Sequence, residues 1–373
     1  MTSGKESQLV EGKPTRHPFN MYSHIMDQAE AVATVVTENR AHIDSVAGEI
    51  AGSERVFLVG IGTSHHASQV VEHFMREYGG GIQAYPVHSF DFALYGPALT
   101  SRDCVIIISH KGTKAYSVRA LEKADAAGAK TVLITGLGLE GKPDNAQHVI
   151  QTVPLEQSAT YTISYTGALS AMALLAERIG FHRTDASAIE QIFFEQELPA
   201  AIAAGARFDD GMRSWAERAI NARRIWLTGG GPSAVTAQEI ALKIKEASYL
   251  QAEGIHVEQF LHGALQNTEP DDLFILIAPQ GAAQSRMFQF AEAVQEIGAP
   301  YRVISDGSAD QIAANAEASI DVPSVPEPFT ALTCLIPLQL FAYHLALAAG
   351  THPDTFRLDD PRFAAAFQKA SLY

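Results

Sequence analysis

Cysteine is nearly missing from this chain. Two occur in 373 residues, Cys104 and Cys334, each inside an apolar run (D-C-V-I-I-I and T-C-L-I-P). That excludes a disulfide framework and a cysteine-built metal site, and reads as buried thiols in a reducing compartment. Positive charge is scarce too: 27 Lys and Arg stand against 42 Asp and Glu, a formal charge of −15. Such a balance repels nucleic acid and anionic membrane surfaces, so any anion must be held by a local basic site. No charged opening followed by an apolar core begins the sequence, and no apolar run approaches the ~20 residues of a membrane span. The expectation is a cytoplasmic chain with no membrane and no nucleic-acid partner. His256 and His262 lack helical metal-ligand spacing, and His65 and His66 are adjacent and point apart on a helix, so no metal is expected and no cofactor is called for.

What is present is apolar and repeated. Hydrophobic residues make up 47% of the chain and charged residues 18%, a globular composition in a length that exceeds what one core usually fills, so two domains are expected. Residues 56–69 (V-F-L-V-G-I-G-T-S-H-H-A-S-Q) align without a gap on 225–238 (I-W-L-T-G-G-G-P-S-A-V-T-A-Q), an offset of 169. D-C-V-I-I-I-S-H-K-G from Asp103 falls on D-L-F-I-L-I-A-P-Q-G from Asp272 at the same offset. Two strand-and-turn units sharing one offset argue for a duplicated domain.

Each copy reads as a short apolar strand, a glycine turn and a helical period: Ala67, Val70, Val71, Phe74 and Met75 in the first, Ala237, Ile240, Ala241, Ile244 and Ala247 in the second. Ser64 and Ser233 are expected as N-caps. Further apolar strands (V-I-I-I and F-I-L-I, then T-V-L-I-T and Y-R-V-I-S) alternate with helices. Strands buried on both faces and joined by helices predict α/β architecture with parallel doubly wound sheets, whose ligands bind at the strands' carboxyl ends. The expected organisation is a polar leader (1–20), an N-terminal helix (21–45, starting at Met21), a first domain (46–198), a second (199–350) and a tail (351–373). A helix near 181–204 is expected to bridge the halves.

Candidate chemistry sits on the turns and one helix. Lys111 and Lys114 flank Gly112 where a helix begins; backbone amides, helix dipole and two ammonium groups converge there on an anion such as phosphate, or the lysines simply ride a solvated loop. G-I-G-T-S (60–64) either offers hydroxyls to phosphate or caps its helix. Glu239, Lys243 and Glu246 form a charged stripe lying away from Ile240, Ile244 and Ala247. Spacing alone makes it an ordinary surface pair contributing about 0.3 kcal/mol. Facing a pocket, a carboxylate beside a lysine suits proton transfer at a carbon next to a carbonyl. His262, in F-L-H-G-A-L, is on spacing alone a satisfied core or loop histidine.

Together these motifs resemble the tandem sugar-isomerase (SIS) family, and within it the isomerase domain of glutamine–fructose-6-phosphate aminotransferases (glucosamine-6-phosphate synthases). G-T-S at 62–64 matches the family's first phosphate loop, and S-H-K-G-T-K (109–114) stands where the family has S-Q-S-G-E-T. A-L-K-I-K-E-A-S-Y-L-Q-A-E (241–253), L-H-G-A-L (261–265), P-L-Q-L-F-A-Y-H-L-A-L (337–347) and M-Y-S-H-I-M-D-Q-A-E (21–30) match other family segments in the right order. The resemblance implies two SIS domains, each a mostly parallel sheet in three αβα layers. It implies that Gly62, Thr63, Ser64 and the turn Ser109, His110, Lys111, Gly112, Thr113 and Lys114 bind a sugar phosphate, with backbone near Ala159 and Thr160 closing the site. Glu246 would be the base moving a proton between C1 and C2, with Lys243 beside it. His262 would assist ring opening, contributed across the interface of a homodimer.

Three departures shape the expected activity. Lys111 and Lys114 replace hydroxyl-bearing residues, making an anion clip of ammonium groups. The family's tail lysine, in P-R-N-L-A-K, has no in-register partner in F-R-L-D-D-P-R-F, although Lys369 lies nearby. The chain opens Met1-Thr2 rather than on the cysteine of a glutaminase domain, so glutamine is not expected as its direct nitrogen source. The expected function is therefore a glutamine-independent deaminating isomerase, glucosamine-6-phosphate to fructose-6-phosphate plus ammonia or the reverse. The alternatives are a fructosamine-6-phosphate deglycase, a non-catalytic sugar-phosphate-binding protein, and the isomerase subunit of a two-chain glutamine transaminase.

Overall fold

The computed structural model describes residues 12–138 and 143–370, so the first eleven residues of the expected leader lie outside it. Among the described residues ten strands form two five-stranded sheets. The first contains β1 (Arg55–Gly60), β2 (Gln83–His88), β3 (Asp103–Ile108), β4 (Lys130–Leu137) and β5 (His148–Pro154), in the order β2-β1-β3-β4-β5. The second contains β6 (Ile225–Gly229), β7 (Ala252–His256), β8 (Leu273–Ile277), β9 (Tyr301–Ser305) and β10 (Ala318–Asp321), and read from β7 it has the same order. All pairings are parallel. The repeat extends to register: Val56 faces Cys104, and Ile225 faces Leu273. The paired aspartates that revealed the repeat have a structural job in both copies, closing the turn before β3 and β8. Asp103 Oδ2 accepts the Thr100 N–H at 2.7 Å and Asp272 Oδ2 the Glu269 N–H at 3.0 Å.

The chain divides into two compact units, one of Gln28–Leu155 with Ile163–Ile202, the other of the residues to Asp27, Glu156–Thr162 and Ala203 onward. In the first, Phe57, Val59, Val105, Ile107 and Leu133 pack with Phe92, Ala120, Leu121 and Ala124 of the helices Ser89–Tyr95 and Ala115–Ala126. Alternate strand residues, such as Val56, Leu58, Cys104 and Ile106, are also fully buried, which is why the strands read as unbroken apolar runs. In the second unit Trp226, Phe260, Phe274 and Phe290 make an aromatic core over one sheet face. Both cysteines are free and buried, and burial pushes each thiol up to about 12.

The sequence expectations fail in four places, each for a physical reason. The N-terminal helix is two helices, Asn20–Met26 and Gln28–Ile50, whose buried residues belong to different units: Met21 and Ile25 to one, Gln28, Val32, Val35 and Val36 to the other. The bridging segment is also broken. A helix Ile163–Thr184 stops at Asp185, which has a left-handed φ of 57°, and helical turns resume at Phe193–Glu197 and Leu198–Gly205. Every residue of that first helix from Ile163 to Glu177 is buried, leaving no period to read. The caps at 64 and 233 are not serines: Gly62 (φ 58°, ψ −131°) and Gly231 (φ 56°, ψ −131°) occupy the N-cap positions without side-chain bonds. Finally, Glu327–Ala348 is long and apolar enough, by length and composition, to cross a membrane, with 89% of its most apolar window buried inside the protein.

Candidate functional site

In the first-sheet unit the two candidate turns stand at the carboxyl ends of β1 and β3, adjacent strands whose following helices cover opposite faces. That is the switch point of a doubly wound sheet. Because glycine takes the cap, Thr63 and Ser64 lie in the helix's first turn, where the Ser64 N–H donates to Ile61 O at 3.2 Å. Ser109 is buried, donates its N–H to Ile134 O at 2.9 Å, and accepts from the Gly112 N–H at 2.9 Å; Gly112 has φ 64°. The turn thus delivers Lys114 to the N-cap of the helix Ala115–Ala126. Burial, and then the charge of Lys111, hold the Lys114 ammonium below the ordinary lysine range. Two cations so placed at a helix start favour an anion. His110 is fixed by its carbonyl, which accepts from Gly136 N at 2.9 Å and Thr135 Oγ1 at 3.0 Å. Thr113 is exposed on the turn.

Histidines gather at the same edge. His65 Nδ1 lies 3.3 Å from Ser68 Oγ and its ring meets His88 edge-on at 5.3 Å. Burial, then the charges of His88 and His66, lower His65 to about 4, so it is a neutral ring at neutral pH. His88 also caps the helix after β2 by accepting the Phe90 N–H at 3.3 Å. His256 does the same after β7, accepting the Glu258 N–H at 3.2 Å.

In the second-sheet unit the charged stripe is not a surface feature. The helix Pro232–Ser248 packs against the helix Leu335–Ala348 and buries Glu239 and Lys243 completely, overturning the ordinary surface-pair reading. Lys243 Nζ lies 2.5 Å from Glu246 Oε2 and 3.4 Å from Glu239 Oε1. Burial works to lower the ammonium, and the fields of Glu239, Glu246 and Glu156 outweigh it, so Lys243 is held above its ordinary range as a fixed cation. The Glu246 side chain keeps 13% exposure, which leaves a carboxylate at the rim of a buried charge cluster.

Glu156 and His24 were not singled out from the sequence, where a lone glutamate in a loop and a lone histidine on a short helix carry no spacing signal. The Glu156 side chain is fully buried, accepts the Thr162 N–H on both oxygens at 3.0 Å, and faces His24 Nδ1 at 3.3 Å. The same loop holds Ala159 and Thr160. Their N–H groups are engaged, Ala159 with Asp354 O at 3.0 Å and Thr160 with Ser158 Oγ at 3.1 Å. Thr160 is fully buried and Ala159 only in part, so what this stretch can offer a ligand is the Ala159 carbonyl oxygen, the acceptor a sugar hydroxyl needs.

His262 is not joined to this cluster. It is exposed, with Nε2 3.1 Å from Glu258 Oε1, and Glu258 is clasped by Arg286 at 2.7 Å, which holds that carboxyl below its usual range. Lys369 is exposed at the end of the helix Pro361–Lys369. Among the described residues no group of three or more His, Cys, Asp or Glu is arranged to hold a metal ion.

Comparison with known proteins identifies the duplicated unit. The SIS domain model matches residues 49–178 and again 220–349. The glutamine–fructose-6-phosphate aminotransferase (isomerizing) of Thermococcus kodakarensis is 28% identical over 342 residues, covering 91% of this chain and 56% of that protein. The chain therefore spans little more than half the length of such relatives. The C-terminal domain of glucosamine-fructose-6-phosphate aminotransferase from Francisella tularensis superposes with a TM-score of 0.83 at 19% identity, over 91% of this chain and 98% of that one. Glucosamine-6-phosphate deaminase from Thermotoga maritima shares the fold with a TM-score of 0.69 at 16% identity, over 90% and 96% of the two chains. With both of its halves matched and both of its sheets wound alike, this chain belongs to the SIS domain family.

Proposed function

We propose that the chain interconverts the aldose and ketose forms of an aminosugar phosphate and exchanges its nitrogen as free ammonia, with glucosamine-6-phosphate and water going to fructose-6-phosphate and ammonia, or the reverse. The observation that carries this is the Glu246 carboxylate at the rim of a buried cluster, 2.5 Å from a lysine that three carboxylates hold as a cation against its burial. Relatives named for amination of fructose-6-phosphate support the same substrate class. On this reading Lys111, Lys114 and the hydroxyls of Thr63, Ser64 and Ser109 take the phosphate.

In the open-chain sugar Glu246 removes the proton on C2. The C–H electrons form a C1–C2 double bond, the C1 carbonyl π electrons move onto O1, and O1 gains a proton. Returning a proton to C1 leaves a C2 imine; water adds at C2, the C2–N bond breaks and ammonia departs. Lys243 steadies the negative charge that grows during proton transfer. Its exposure lets His262 assist ring opening at the site of a second copy, so the proposal includes a homodimer. The lysine pair favours a second reading, a deglycase acting on a phosphorylated fructosamine whose amine carries a further anionic group.

The test is ammonia and fructose-6-phosphate formation from glucosamine-6-phosphate by the purified chain, with Glu246→Gln alongside. Turnover that falls by at least about a thousandfold in the variant, while substrate binding persists, is expected. No turnover in the native chain removes this substrate, and turnover retained in Glu246→Gln removes the base.

A further inference from the structure

The loop Glu156–Thr162 follows β5 of the first sheet, yet it clusters with the unit built on the second. Two segments of that unit hold it. From the tail, Asp354 O accepts the Ala159 N–H at 3.0 Å and Pro353 O accepts from Thr160 Oγ1 at 2.8 Å. From the leader helix Asn20–Met26, His24 Nδ1 lies 3.3 Å from the buried Glu156 carboxylate, an ion pair when the ring is protonated, and that carboxylate closes the loop on itself through the Thr162 N–H.

The two holders are also tied to each other. The Asp354 side chain, wholly buried, accepts the N–H of Asn20 on Oδ2 and of Met21 on Oδ1, each at 2.9 Å. Those are the first amides of the helix that carries His24. A seven-residue helix does not persist alone, and a carboxylate on its orphan amides is what stabilises it. His352 completes the join, accepting the Asp354 N–H on Nδ1 at 3.2 Å with Nε2 2.9 Å from Pro14 O. One step earlier in the tail, Thr351 Oγ1 donates to Ala247 O at 2.7 Å, beside Glu246.

We infer that His24 and Asp354 are positioning residues: leader helix and tail act as one clamp that fixes loop 156–162, so that the part-buried Ala159 presents its carbonyl to a substrate hydroxyl while Thr160 anchors the loop from inside. The inference rests on the loop being part of the sugar site. Its logic is steric and local. Neither residue touches a reacting atom; Asp354 fixes the helix that brings His24, and His24 fixes the carboxylate around which the loop closes.

Hydrogen exchange and steady-state kinetics on the full chain test it, using Asp354→Ala, His24→Ala and the conservative His24→Gln, which keeps an N–H donor. Amides of 156–162 are expected to exchange about tenfold faster in both alanine variants, with β3 and the interior of helix Pro232–Ser248 unchanged. KM for glucosamine-6-phosphate should rise several-fold, with kcat within about twofold. His24→Gln should restore most of both, and the double alanine variant should be no worse than its worse parent, as one clamp requires. Unchanged exchange in the loop overturns the inference, as does acceleration spread over the whole unit. If Asp354→Ala does not fold, His24→Ala with its glutamine rescue decides alone. A chain inactive on glucosamine-6-phosphate whose loop still responds refutes the substrate and leaves the clamp standing.

Discussion

The two copies share a backbone and differ in how they answer it. Both open the first helix through a glycine at matching φ and ψ, and both place a glycine in the second turn, Gly112 in one and Gly281 in the other. In the first copy that turn carries Lys111 and Lys114; the same places in the second hold Gln280 and Ala283. There the chain supplies its own anions. The Gln280 N–H donates to Asp306 Oδ1 at 3.0 Å and the Ala282 N–H to Glu327 Oε1 at 3.2 Å. A Cβ on Gly281 would stand 2.1 Å from that same Glu327 oxygen. Burial pushes the Asp306 carboxyl up, but hydrogen bonds from Ser308, the Gln280 amide and Ser324 hold it below the usual carboxylate range. The turn favours an oxyanion in both halves. One half satisfies that preference internally, while the other, on the proposed reading, keeps cations for an anion from outside.

The largest effect should come from making the first turn resemble the second, with Lys111→Gln and Lys114→Ala together. Loss of two charge-assisted bonds predicts a fall of about a hundredfold in affinity for the sugar phosphate, read as KM or by calorimetry. Folding stability should hold or rise, because burial and Lys111 already disfavour the Lys114 charge. An unchanged KM would return the lysines to a solvated loop. A smaller effect is expected in the other half, where Glu327→Ala strips an acceptor from the Ala282 amide. Urea denaturation should register a loss of about 1 kcal/mol, and less for Glu327→Gln, which keeps an oxygen in place. No loss in either variant would mean that water replaces the carboxylate freely and that the second turn is not self-satisfied.

Much of this contrast was legible in the sequence. The repeat, the parallel strands and the lysine turn follow from spacing, because a strand buried on both faces and a glycine turn leave marks in consecutive letters. The burial of Glu239 and Lys243 does not: glutamate and lysine four apart look alike whether they face water or the helix Leu335–Ala348. The helices Ile163–Thr184 and Leu335–Ala348 are buried without a break from Ile163 to Glu177 and from Leu335 to Ala346, so no polar face sets a period there. The caps were misassigned because hydroxyls favour that role in general, while this backbone needs a left-handed φ that glycine supplies. His24, Glu156 and Asp354 are separated by 132 and 198 residues in the chain, and only tertiary contact makes them neighbours.

His65 gives the finest test of the comparison, since the second copy has Ala234 at the matching position. In the folded chain burial, then His88 and His66, lower the His65 ring from 6.5 to about 4. Between those values the unfolded chain binds a proton there and the folded chain does not. Stability is therefore complete above pH 6.5 and declines as pH falls through 4. A single fully buried proton would set a slope of about 1.4 kcal/mol per pH unit, and the part exposure of this ring reduces it. His65→Ala should remove that component, so the stability difference between native chain and variant, from urea midpoints at several pH values across this window, should shift steadily toward the variant as acid is added. Carboxylates remote from the ring contribute equally to both chains and cancel, whereas Asp91, whose charge acts on the ring, works against the shift. Parallel pH profiles would mean that the ring accepts its proton as easily folded as unfolded, and the histidine edge of the first copy would then be open to solvent.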